Sequence, residues 1–181
     1  MAESVRDQII DGIVDLFRST VVGDGGANYW FTPGLVKDVE GFSIACLDDS
    51  YANADDDNKT TLYLLTPDED EILEQTTGSI EAHMRLNLLL ARQVDAVDHP
   101  LKDASTGSIR KIQNRLSRDA QKVINTNSDL RTVSLSSGGT VINFQVLRSE
   151  FASEEVGVAG STWAVVLMRL QVHYEYMKDR P

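Results

Sequence analysis

From Trp163 to Tyr176 the chain alternates without a break. Ala164, Val166, Met168, Leu170, Val172, Tyr174 and Tyr176 share one parity, and Arg169, Gln171, His173 and Glu175 share the other. A period of two marks a strand with one buried and one wet face. At about 3.3 Å per residue it runs roughly 45 Å, long for a globular strand. Length of that order requires partners. One arrangement gives part of the strand to the chain's own sheet and the rest to a neighbouring subunit or to another protein of the same assembly. Replacing Val172 with proline would then harm assembly more than folding.

Other stretches carry a helical period. Ser4, with Asp7 three residues on, opens a helix over residues 4–19. Val5, Ile9, Ile10, Ile13, Val14 and Phe17 form its apolar stripe, and Arg6, Asp11, Asp15 and Arg18 are left for solvent. A second helix spans 105–125, with Ile109, Ile112, Leu116, Ala120 and Val123 on one face and Lys111, Arg115, Arg118 and Lys122 as a basic stripe. The segment PDEDEILEQ, residues 67–75, places carboxylates behind a proline, which suits the positive end of a helix dipole and predicts one or two helical turns. Residues 81–92 alternate, predicting a strand, although their leucine content suits a helix too. Further strands are expected at 35–39, 42–47, 62–65, 131–135 and 141–147. Loops are expected at 23–26, 48–60 and 148–162, with a Ser-Ser-Gly-Gly turn at 136–139. Helices and strands fall in segregated runs. That order predicts an α+β fold in one domain, a mainly antiparallel or mixed sheet packed against the two helices.

The 181 residues suffice for one core, and a net charge of −11 opposes nucleic acid and anionic membrane surfaces at long range. Within that acidic chain the basic stripe of the second helix is the exception. Its natural complement is an acidic neighbour, and another copy of the chain offers one through Asp48, Asp49, Asp55–Asp57 and Glu69–Glu71. Lys111, Arg115, Arg118 and Lys122, with Arg169, His173 and Glu175 of the last strand, are the candidate interface residues. The N-terminal stretch reads as an amphipathic helix and not as a secretory leader, and no run approaches the roughly 18 apolar residues of a membrane span. A protein made in the cytosol is expected.

Motifs of catalysis are missing: G-x-S-x-G, H-E-x-x-H, a phosphate loop and G-x-G-x-x-G are all absent. Asn53, Asp55 and Asp57 have the spacing of a calcium loop, but Asn58 and Leu64 stand where its glycine and glutamate belong. His83, His99 and His173 are scattered, and Cys46 lies inside an apolar run as a small hydrophobe does. No cofactor, metal or catalytic residue is expected.

The amphipathic VRDQIIDGIVDLF, the strands FSIACLDD and IEAHMRLNLLL, the helix IRKIQNRLSRDAQKVI and the closing VINFQVLRSEFASEE with WAVVLMRLQVHYEY together resemble the tail terminator, or tail completion, proteins of long-tailed bacteriophages. The resemblance covers most of the chain as an order of elements. It implies a virion structural protein of the tail and neck. Such a subunit is made in the host cytoplasm and closes as a homo-oligomer, typically a hexameric ring. The ring sits on the tail tube, stops its polymerisation and receives the head–tail connector, while DNA passes through the lumen without sequence-specific recognition. The acidic stretch 48–60 looks like an insertion relative to that family. A neighbouring head–tail connector or head-completion protein shares this design. From a different class, the alternative is a small cytosolic ligand-binding protein or carboxylate enzyme.

Overall fold

A computed structural model describes residues 4–19, 35–39, 60–65, 70–94, 107–127, 130, 135, 138–151, 156–158 and 161–177. The expected strand 42–47 with Cys46, the loops 23–26 and 48–59, His99 and residues 131–134 lie outside them. Helix α1 is Val5–Arg18. Strands β1 (Leu35–Val39), β2 (Thr60–Leu65), β3 (Glu71–Gln75) and β4 (Ser79–Val94) follow, then helix α2 (Gly107–Thr126), then β5 (Thr140–Phe151), β6 (Val156–Val158) and β7 (Ser161–Met177).

Among the described residues the sheet runs in the order β1-β2-β4-β7-β5, with β3 beside β4 and β6 beside β7. The β1–β2 pair is parallel and the others are antiparallel. Both helices contribute to one core with the even-numbered residues of β4 and β7, so the sheet carries its helices on one face. The fold is α+β, as the segregated pattern predicts.

Helix α1 starts where the pattern places it. The Ser4 hydroxyl accepts from the Asp7 backbone N–H at 3.2 Å and donates to the Asp7 carboxylate at 2.7 Å, satisfying one of the free N–H groups of the first turn. Its buried stripe, Val5, Ile9, Ile10, Ile13, Val14 and Phe17, is the predicted one. Arg6 differs from expectation. It turns inward to Asp70, with Nε 3.4 Å from Oδ1, while Asp70 also accepts from the Tyr174 hydroxyl. Before the final strands, Gly138 holds a left-handed φ of 74° and Gly139 passes so close to α1 that a Cβ there would lie 2.8 Å from Val5 Cγ1. Both positions need glycine, the first for its backbone and the second for space.

Strand β7 carries the core. Ala164, Val166, Met168, Leu170 and Val172 have no solvent exposure. It pairs with β4 along its length, from Thr162 opposite Val94 to Met177 opposite Ser79. Its other edge meets β6 at residues 161–163 and β5 from Val166 to Glu175. The expectation that a long part of this strand is left for a neighbouring subunit is therefore corrected: β4 takes one edge along its length, and β6 and β5 take the other except at Ala164, Val165, Tyr176 and Met177. Between β6 and β5 the ladder skips Ala164 and Val165. There the buried Gln113 of α2 donates its amide to the Val165 carbonyl at 3.1 Å.

Three further expectations are corrected. Residues 71–75 form a strand and not a helical turn: a segment this short gains little helical stability alone, whereas pairing with β4 supplies a ready ladder. The turn that joins them is closed by Thr76, whose N–H donates to the Ser79 carbonyl and whose hydroxyl accepts from the Ser79 N–H, both at 3.0 Å. The supposed loop 148–162 holds the end of β5, all of β6 and the start of β7. Leu135, expected to end a strand, belongs to no regular element. By contrast, residues 81–92 are a strand, and the leucine-rich end is explained by burial on both faces: Leu88, Leu89, Leu90 and Ala91 are all buried.

Candidate interaction surface

The second face of the sheet is built by the odd-numbered residues of β4 and β7. Their register sets Glu81 opposite Glu175, His83 opposite His173, Arg85 opposite Gln171, Asn87 opposite Arg169 and Leu89 opposite Leu167. One end is dry: Trp163 and Ala91 are buried here, outside the core cluster that the helices share. The other is wet, and its polar side chains meet as cross-strand partners.

Arg85 Nη2 lies 2.6 Å from Glu71 Oε2 of β3. Gln145 of β5 donates to Gln171 at 3.0 Å. His173 Nε2 sits 2.5 Å from Glu81 Oε1, and its ring stands edge-on to His83 with centroids 4.7 Å apart. Burial first, and then the neighbouring His173, hold the His83 imidazole below its ordinary value, against the opposing pull of Glu71 and Glu81. The unfolded chain therefore takes up a proton near pH 6.5 that the native sheet resists, so stability is present above that pH and is lost below it. Urea midpoints at about pH 7.5 and about pH 5.5 should show the loss, and His83→Gln should make it smaller. An unchanged difference would place the acid sensitivity elsewhere.

Strand β5 borders this face and is interrupted twice, between Val141 and Asn143 and between Val146 and Arg148. The extra residues, Ile142 and Leu147, are 46% and 50% exposed. Each β-bulge thus turns a large apolar side chain toward solvent. On the opposite flank β3 is exposed throughout, with Ile72 at 58% and Leu73 at 43%. Between the flanks the sheet face holds an open depression of about 580 Å³, lined by Leu89, Leu147 and Leu167 with Arg85, Asn87 and Arg169 among them.

The residues singled out from the sequence fall on two separate surfaces. Lys111, Arg118 and Lys122 are exposed on α2, with Arg115 half-buried beside them. Arg169, His173 and Glu175 lie on the far sheet face, across the sheet from that helix. The pattern missed His83, Arg85, Glu81 and Leu147. The alternation of residues 81–92 puts Glu81, His83 and Arg85 on one strand face, but the partner of Arg85 lies across a turn on β3 and those of Glu81 and His83 on β7, about ninety positions away, so register between strands decides each contact. Leu147 was hidden because a bulge breaks the alternation that would have marked it.

Among the described residues no group of three or more His, Cys, Asp or Glu side chains is placed to hold a metal ion, and no helix is long and apolar enough to cross a membrane. No protein-family model and no curated protein matches the chain.

Proposed function

We propose that this chain is a virion structural protein, a tail terminator of a long-tailed bacteriophage that closes as a ring on the end of the tail tube, halts tube growth and receives the head–tail connector. The observation that carries this reading is the shape and chemistry of the far sheet face. It is broad and studded with ion pairs, and it is flanked by the exposed apolar residues Ile72, Leu73, Ile142 and Leu147. Exposed large hydrophobes gathered around a charged surface suit a protein contact. The α+β fold, with its helices on one face of the sheet, fits the subunit that the sequence resembles. A net charge of −11 further suits a ring through which DNA must pass without sticking.

On this reading the genome that carries the chain also encodes a tail tube protein, and the test uses that protein. Polymerising that protein with the purified chain should give tubes that stop growing and carry the chain at one end in electron micrographs. Tubes that elongate unchanged, with none of the chain sedimenting alongside them, would overturn the reading.

A further inference from the structure

We infer that the leucine-floored depression on the sheet face is the socket for β3 of a second copy of this chain, so that subunits join head to tail. The inference rests on the assembly reading above and names the contact that such a ring would use.

The socket has an apolar floor, Leu89 and Leu167, an apolar rim residue, Leu147, and a cationic border. Arg85 and Arg169 line it directly, and Arg148 stands opposite Arg169 on β5. Among the described residues these three arginines share two carboxylates. Glu71 answers Arg85 at 2.6 Å, and Glu150 serves both Arg148 at 3.1 Å and Arg169 at 3.6 Å. The last distance exceeds a hydrogen bond, which leaves the Arg169 guanidinium with a weak ion pair and room for a further carboxylate. In a chain of net charge −11, this border is a local reversal of sign.

The plug has the opposite chemistry. Strand β3 carries two carboxylates, Glu71 and Glu74, around the apolar pair Ile72 and Leu73. Among the described residues β3 pairs with β4 alone, its every residue is exposed, and its own bulge falls at Leu73, between Ile72 and Glu74. An acidic strand with two projecting apolar side chains thus matches an apolar floor bordered by arginines. Edge strands left open in this way are templates for association unless something covers them. Within one chain Glu71 already answers Arg85, so Glu74 and the pair Ile72 and Leu73 are the part of β3 offered to a second copy's Arg169, Leu89, Leu147 and Leu167; the contact is heterologous and propagates head to tail, closing into a ring if the rotation permits.

Charge reversal tests the pairing. Glu74→Arg alters only the plug and Arg169→Glu only the socket. Light scattering over a concentration series should find the wild type at several times 20.0 kDa. Each variant alone should self-associate about tenfold more weakly or worse. Mixed in equal amounts, the two variants should regain the wild-type mass, since every contact in an alternating assembly is then either native or doubly reversed. Variants that keep the wild-type mass, a mixture that stays monomeric, or a wild type that stays monomeric throughout would each overturn the inference. Leu73→Ser and Leu147→Ser probe the same contact without disturbing Glu150, should Arg169→Glu impair folding. Tube capping is a separate readout: a chain that caps tubes while its self-association ignores these substitutions loses the socket and keeps the terminator function.

Discussion

A chain carrying Val172→Pro should fail to fold, with no cooperative thermal or urea transition and no native near-ultraviolet signal. Val172 is fully buried, opposite Met84 of β4 on one edge and Phe144 of β5 on the other. Proline removes the backbone N–H from that ladder and imposes its ring on a strand flanked on both sides, a position proline occupies essentially only at edges or bulges. The cost is on the order of 3 kcal/mol or more, set against a typical domain stability of about 5–15 kcal/mol. Loss of ladder and packing along β7 also propagates, because β4, β5 and β6 all pair with this strand. Were β7 half committed to a neighbouring subunit, the variant monomer would fold and only assembly would suffer. A variant that melts at the wild-type temperature would therefore overturn the central placement of β7.

What could be read from the chain followed from how far each element's pattern depends on its own residues. Helices α1 and α2 and strand β7 pack one whole face against the core, so their periods survive intact in the sequence. Strand β5 obeys the same rule once its two bulge residues are set aside. Val141, Phe144, Val146, Ser149 and Phe151 then alternate with Asn143, Gln145, Arg148 and Glu150 in the register against β7. Read straight through, Ile142 and Leu147 break the parity, and the expected strand stops at 147, short of the end of β5 at Phe151. Strand β3 has no buried face at all, so its residues carry no period, and their carboxylates suggested a dipole that the ladder with β4 overrode. The socket is a product of tertiary pairing. Arg85, Leu89, Leu147, Leu167 and Arg169 come from three strands, and nothing local in the chain announces that they meet.

Above about pH 10 the protein should lose stability steeply, and Tyr174→Phe should remove much of that loss. The Tyr174 hydroxyl donates to Asp70, its side chain is buried, and Asp70 in turn faces Arg6. Burial, followed by the bond to and the charge of Asp70, drives the phenol pKa far above its ordinary value of 10.0, with Arg6 pulling weakly the other way. The direction of the pH dependence follows. Below pH 10 the phenol is protonated in both states and contributes nothing to the slope. Above it the unfolded chain releases a proton that the native one retains, so native stability falls with rising pH, at up to about 1.4 kcal/mol per pH unit for one such group. Denaturant midpoints taken between about pH 9 and about pH 11.5 should show this limb in the wild type. In Tyr174→Phe the limb should flatten, with a lower stability near neutrality because Asp70 then lacks one of its two partners. A limb unchanged in that variant would mean that another group dominates the alkaline transition, and that the Arg6–Asp70–Tyr174 chain does not tie the start of α1 to the end of β7.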